Sequence, residues 1–464
     1  MGETNGLKKE LSLTSLIAMA SGGMVAAWMV EIRYWFELTG VTSALALLVC
    51  ALLILPLCFI YTEMTAMLPY AGGANIWATN AFNWDAGFFT CWALLLLYIM
   101  AMPTVTYGIA SMLTYFFPVS FMQTKILAVV LTTGAYFLAN RELKILAKIQ
   151  GILYWSTLVV SVGASLIFIF NGNWSIEVMK PFFPMGSKGF TAAIALLMMK
   201  FIGFDLIPQL SEETNFPKNK LWIAFIGAIG LTVLIYGMAV IGVGGIFTTN
   251  QIINTDVVDP RVADYIGKHW LAIIIVIMGC LVCITTIPGF WLSASRTLYG
   301  ASKQHQMTRL FGVLNKEGQP INANITVGVL AMFFTVFAPD KWVNYIYTIY
   351  GITAGIVYFI VTISFVSLRI KKPQWNRPYK VKVWPLVALI SCCFTLWVIY
   401  TCFGEISSGS LLVLGIYFSG GILMWIYAKI MQKKKPVEWK KIIISPDTDI
   451  SEEEILNNLE TNCK

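Results

Sequence analysis

The stretch that decides the reading is "KFIGFDLIPQLSEETNFPKNK", residues 200–220. It follows an almost wholly apolar run, yet it sets Lys200, Gly203, Asp205 and Pro208 where a membrane helix ought to continue. An ionised Asp facing lipid costs roughly 2.5–3.5 kcal/mol on insertion scales, and unwound backbone in hydrocarbon leaves N–H and C=O groups unsatisfied. Two helix breakers beside two opposite charges therefore predict an interrupted helix opening onto a polar cavity or a polar ligand. Asp205 then needs a partner or a cationic guest.

The rest of the chain supplies the membrane. Of 464 residues, 58% are hydrophobic and only 12% charged, against roughly 25% charged in soluble domains. Continuous apolar runs, rather than runs alternating every second residue, predict helices and not a barrel. About twelve spans are read: 12–38, 41–68, 84–117, 125–140, 145–170, 191–213, 220–245, 269–304, 321–338, 342–370, 383–403 and 409–430. Pro103 is expected to kink the third. The start, "MGETNGLKKELSLTSL", runs straight into a span, with no cleavable leader expected. Of nine cysteines, eight lie inside apolar runs and read as inert core thiols, without disulfides or a metal site.

Charge fixes an orientation. With the N-terminus in the cytoplasm, 24 of the 32 Lys and Arg fall on inner segments. The outer loops hold Lys125, Lys180, Lys188, Arg261, Lys268 and Lys341, and Arg33 and Lys200 sit inside spans. This asymmetry predicts both termini inside and an even number of spans. The net charge of +8 is read as topology and contact with anionic membrane lipid, not as a nucleic-acid interface.

The first span has its own weak point, Ser21-Gly22-Gly23 in "MASGGMVAAW". Five spans separate it from the Gly203–Pro208 break, so the two interrupted helices enter from opposite sides, the mark of inverted halves around a midplane site. Glu31 and Arg33 lie in the outer half of the first span, and Glu31 is expected either to pair with Lys200 or to help receive a cation. The tail after Met431 is expected to be solvated and partly ordered, with a regulatory role as the alternative, and Ser451 with Glu454 is expected to open a short helix as a capping box.

Four stretches together resemble the amino acid-polyamine-organocation superfamily of permeases: "FIGFDLIPQLSEETNFP"; "PYAGGANIW" at 69–77; "SRTLYGASKQHQM" with "NKEGQPINA"; and "NRPYKVKVWP" at 376–385. The resemblance covers about residues 12–430. It implies an all-α polytopic membrane protein of LeuT-like fold: a cytoplasmic N-terminus over 1–11, inverted five-helix repeats over 12–170 and 191–370, two further helices over 383–430, and a cytoplasmic tail over 431–464. It implies a substrate site at Ser21, Gly22, Gly23, Met24, Val25, Trp28, Glu31, Tyr98, Gly203, Phe204 and Asp205, with Phe204 as a gate. The helix-eight aromatic is Phe290 or Trp291, because "GFWLSASR" permits two registers. Relatives carry a Gly-Ser-Gly carboxylate nest in helix one, where this chain has Ala26-Ala27-Trp28. That departure makes a cationic amine without a carboxylate a candidate. Some relatives carry a helix-five Lys where this chain has Thr157, which leaves Thr157, Thr285 and Thr286 as candidate sodium ligands beside proton coupling; the alternative is that these hydroxyls bond only their own helices.

The implied activity is secondary transport of an amino acid or biogenic amine, by symport or exchange, with no cofactor, no metal and no nucleic acid. An enzyme is not expected. His269 and His305 lie near opposite faces, and "GVGGIF" at 242–247 follows a helix instead of the strand a phosphate loop needs. A non-transporting amine sensor would have only the short tail to carry its output.

Overall fold

The computed structural model describes residues 9–141, 143–339, 342–404 and 406–446, less the side chains of Thr285 and residues 342–344. The expected Ser451 capping box and most of the expected N-terminal segment 1–11 lie outside them. Among the described residues every regular element is helical, with two isolated β-bridges, Leu11 with Thr214 and Leu314 with Pro320. In chain order the α-helices are α1 (Leu13–Met24), α2 (Trp28–Thr39), α3 (Ser43–Met67), α4 (Ala74–Ala81), α5 (Trp84–Met112), α6 (Phe121–Ala139), α7 (Leu143–Ile169), α8 (Gly186–Leu197) and α9 (Leu206–Leu210). They continue with α10 (Leu221–Gly244), α11 (Thr249–Ile253), α12 (Val258–Tyr265), α13 (His269–Lys303), α14 (Ile321–Val336), α15 (Trp342–Lys371), α16 (Trp384–Gly404) and α17 (Ser408–Lys434).

Among the described residues ten segments are long and apolar enough to cross a membrane, and α1 and α14 are shorter apolar helices. Side-chain caps set several starts. Ser12 accepts from Ser15 N at 3.2 Å before α1, and Ser120 and Gln123 form a reciprocal capping box before α6. α5 is buried along nearly its whole length and packs against α13, so this pair is the centre of the bundle. Exposed Phe137, Val159, Val329, Leu389 and Leu423 place an apolar outer surface on α6, α7, α14, α16 and α17, as hydrocarbon requires.

Both predicted interruptions exist, but the first is displaced. Ser21, Gly22 and Gly23 stay helical in α1; the chain breaks at Val25–Ala27, where Val25 is extended and Ala27 adopts φ +52°. The glycines serve close packing instead: a Cβ on Gly23 would lie 2.8 Å from Leu206 Cδ1 and 3.6 Å from Gly203 Cα. The second break falls as expected. A 3-10 turn over Met198–Phe201 gives way to extended Ile202 and to Gly203 at φ +139°, and α9 restarts at Leu206. Pro208 is not part of that break; it sits in the first turn of α9, where a missing N–H is harmless. Pro103 likewise stays inside an unbroken α5. Short helices α4, α11 and α12 occupy stretches expected to be loops.

Candidate functional site

The two breaks meet each other. A Cβ on Gly203 would stand 2.9 Å from Met24 N and 3.1 Å from Ala20 O, so the α8–α9 break needs glycine for its dihedral and for its neighbour. The α1–α2 break is held by Tyr236 of α10, whose hydroxyl donates to Met24 O (2.6 Å) and accepts from Ala26 N (3.1 Å). One phenol thus satisfies backbone groups that the missing helical turn leaves over.

Asp205 closes the second break on itself. Its Oδ1 accepts from Gly203 N at 2.8 Å, while Tyr98 of α5 donates to Asp205 O at 2.8 Å. Its Oδ2 is buried and meets no hydrogen-bond donor among the described residues. Tyr61 of α3, Tyr98, and Tyr350 and Tyr358 of α15 all stand within electrostatic reach of the carboxylate. The Tyr358 hydroxyl is turned to this carboxyl group, and the buried hydroxyl of Tyr61 has no hydrogen-bond partner among the described residues. Phe204 completes the aromatic wall, 5.1 Å from the Tyr61 ring and 5.3 Å from that of Tyr358. An acid with one unsatisfied oxygen among phenol rings can receive an ammonium both as a charge and through cation–π contact.

The remaining expected residues divide. Phe290 is brought to the breaks: its ring lies 6.2 Å from that of Tyr98, and its Cε2 is 3.5 Å from a Cβ placed on Gly23. Trp291 points the other way, to Tyr136 (6.2 Å) and Gly328, so of the two registers it is Phe290 that faces Asp205's surroundings. Ser21, Met24 and Val25 are buried along α1 and its break. Trp28 directs its indole to Asp259 of α12, with Nε1 3.2 Å from Oδ1. Glu31 forms a buried ion pair with Lys200, whose ammonium lies 5.8 Å and 5.9 Å from the ring centres of Tyr236 and Tyr347. Beyond it, a cavity of about 360 Å³ lined by Tyr34, Glu37, Met199, Tyr347 and Thr401 lies between α2, α8, α15 and α16.

Of the hydroxyls expected to hold sodium, Thr157 lies 2.8 Å from Leu153 O of its own helix and 3.5 Å from Met278 O of α13. Thr286 lies 2.6 Å from Gly22 O and 2.9 Å from Val282 O. The side chain of Thr285 lies outside the described residues. No cluster of His, Cys, Asp and Glu among the described residues could hold a metal.

Tyr61, Tyr236, Tyr350, Tyr358 and Asp259 were not singled out from the sequence. The signal was present as phenols inside apolar runs, since a buried hydroxyl needs a partner. What the sequence hid is which of them converge.

The four family-like stretches are explained by one end of the bundle. Glu212 Oε2 accepts from Ala71 N (2.6 Å) and Gln209 Oε1 from Gly72 N (3.1 Å), joining the α9 end to the loop before α4. Arg296 of α13 is fully buried, donates twice to Glu213 (2.9 and 3.0 Å) and once to Gln319 (2.8 Å). Glu213 O also accepts from Glu10 N and Leu11 N, both at 2.9 Å. Arg377 donates to Glu63 Oε1 at 3.0 Å and to the carbonyls of Leu368, Lys372, Pro373 and Trp375, which explains the arginine of "NRPYK".

Comparison with known proteins gives the family. The model of a family described as amino acid permease matches residues 11–427. An aspartate-proton symporter of Bacillus subtilis (strain 168) is 22% identical, over 86% of this chain and 80% of its own length. A branched-chain amino acid permease, BcaP, of Lactococcus lactis subsp. cremoris (strain MG1363) is 24% identical over 81% and 84%. A gamma-aminobutyric acid permease of Bacillus subtilis (strain 168) is 24% identical over 82% and 84%. With that match over nearly its whole length, a bundle of membrane-length helices and the four motifs gathered at one end, the chain belongs to the amino acid permeases of the amino acid-polyamine-organocation superfamily.

Proposed function

We propose that the chain is a secondary transporter that carries an amino acid or biogenic amine across the cytoplasmic membrane by alternating access, with the substrate's cationic group held at Asp205. The observation that carries this reading is the Asp205 carboxylate, buried between two helix breaks with Oδ2 unpaired and faced by Tyr61, Tyr98, Tyr350 and Tyr358. In this reading α1 with α2 and α8 with α9 are single interrupted spans. Counting α14, there are about twelve crossings: inverted five-helix repeats over 12–170 and 191–370, and two more over 383–430. Both termini lie in the cytoplasm, in keeping with the basic residues at the Arg296 end. Relatives named for aspartate with a proton, branched-chain amino acids and gamma-aminobutyric acid take substrates that share an ammonium group, and a proton or sodium ion drives the movement.

A narrower version is favoured by the backbone. Ala26 N–H is taken by Tyr236 and Gly203 N–H by Asp205 itself, so two amides that could receive a substrate carboxylate are already bonded. This supports an amine lacking a carboxylate, either carried alone or exchanged for its parent amino acid.

The test is a thermal-shift series on purified protein with amino acids and their decarboxylated amines. A ligand at a hundred times its Kd stabilises by about 2.7 kcal/mol. Asp205→Asn should lose that response to every ammonium ligand, and Tyr358→Phe should weaken it by up to about tenfold, one hydrogen bond's worth. An Asn variant that responds like the unaltered protein would show Asp205 to be no part of recognition. A sensor instead of a transporter would depend on its tail, so uptake that survives deletion of 436–464 counts against that class.

A further inference from the structure

Asp259 is a second buried carboxylate, at the opposite end of the bundle from Arg296. It is the second residue of α12, which lies between α10 and α13 outside the spanning segments, and it is only 4% exposed. Oδ1 accepts from Trp28 Nε1 at 3.2 Å. Oδ2 is buried with no hydrogen-bond partner, and no ion pair reaches the group among the described residues.

The elements packed on α12 are α2, α10 and α13. On α2, Glu31 is paired with Lys200, and Arg33 is bonded to the Tyr34 hydroxyl, with Glu37 beyond. α10 carries no charged residue, only Tyr236, which is bonded to the α1–α2 break. On α13, His269 is bonded to Asp264, and Cys280 and Cys283 are free cysteines. On α12 itself, Arg261 lies over the Tyr115 ring and Tyr265 packs against Phe247. None of these is a counter-charge to Asp259. A dry carboxylate with one oxygen bonded and the other bare is completed by the smallest cation available.

We propose that Asp259 is a proton-binding site that couples closure of α12 over α2 to the proton gradient; this rests on the transport reading above. A proton from the outer solution binds Oδ2, while Oδ1 keeps the indole N–H. The neutral acid stays buried and ties α12 to Trp28, the first residue after the left-handed turn at Ala27. Loss of the proton leaves a charge that only water satisfies, and the tie opens. Because Trp28 begins α2, the tie acts directly on the helix beyond the break.

Burial moves the carboxyl from its usual 3.8 up to about 7, against the lowering effect of the Trp28 indole. The sign follows from linkage. A carboxyl with a raised pKa holds more protons in the closed form than in the open one, so closure is favoured in acid and weakens as pH rises from about 4 through about 7.

The experiment has two readouts. Infrared difference spectra of the purified protein between about pH 5 and about pH 9 should show a component of the protonated-carboxyl band that titrates near neutrality, persists in Asp205→Asn and is lost in Asp259→Asn. Should that variant not fold, Trp28→Phe removes a bond that favours the charged form less than burial disfavours it, and should move the same band's midpoint upward. In proteoliposomes, a pH gradient of one unit can drive roughly tenfold accumulation. The ratio should approach that value in the unaltered protein and fall to about one in Asp259→Asn. No difference in the band, or an accumulation ratio in the variant that still follows the gradient, overturns the proton site. A titrating band in a protein that accumulates no amino acid or amine upholds the site and overturns the transport reading.

Discussion

The carboxylate of Glu31 on α2 and the ammonium of Lys200 on the turn after α8 form a buried ion pair across the two interrupted helices. Glu31 follows the first break and Lys200 precedes the second, so the pair ties α2 to the turn that ends α8, on the same side of both breaks.

Removing one partner leaves the other charged and dry, at a cost of roughly 3–5 kcal/mol. Glu31→Gln and Lys200→Met should therefore each lower the thermal midpoint in detergent sharply. The exchange Glu31→Lys with Lys200→Glu should recover most of it. A double exchange no better than the sum of the single changes would mean that the two groups do not act as a pair.

Gly203 and Ala27 test the breaks from opposite directions. Gly203→Ala adds a Cβ at φ +139°, 2.8 Å from Met24 Cγ and 2.9 Å from Met24 N. The expected loss is at least about 1–3 kcal/mol of strain, read as a drop in thermal midpoint together with loss of uptake. Ala27 already carries a Cβ at φ +52°. Ala27→Gly should be neutral or stabilise by up to about 1 kcal/mol, and destabilisation by that change would contradict the left-handed turn.

The segment after α17 folds back onto the bundle and should release in acid. His305 Nδ1 meets Lys440 O at 2.7 Å, Arg309 donates to Glu438 O at 2.6 Å, and Asn80 donates to Ile444 O at 2.8 Å. Burial, reinforced by the nearby Arg309 charge and opposed by the bond to Lys440 O, holds the His305 imidazole below its usual 6.5. The docked form thus prefers the neutral ring: docking is complete above 6.5 and weakens as pH falls below it. Hydrogen exchange of residues 437–446, corrected for intrinsic rates, should show protection falling over that window, and His305→Gln should flatten the response. Equal pH dependence in both proteins would remove His305 from the account.

How much could be read in advance follows a physical divide. Hydrophobic run length exposed most of the membrane-crossing segments, and the cost of Asp205 in hydrocarbon exposed the second break. The first break lies beyond the glycines that the sequence marks as its weak point. Gly22 and Gly23 are there for close approach, while the left-handed residue is Ala27, whose side chain gives no local warning. Of the phenols around Asp205 the family resemblance names Tyr98 alone. Tyr61, Tyr350 and Tyr358 come from α3 and α15, and their convergence is a property of packing, not of spacing along one chain. Trp291 was indistinguishable from Phe290 until the rotation of α13 was known.

Glu213 has the side chain that Arg296 grips and the carbonyl that Glu10 and Leu11 hold. A single residue fastened in two directions cannot let go of one neighbour without disturbing the other. Any change that loosens this end of the bundle disturbs the leading segment of the chain and the long central helix together, so Glu213 acts there as a catch.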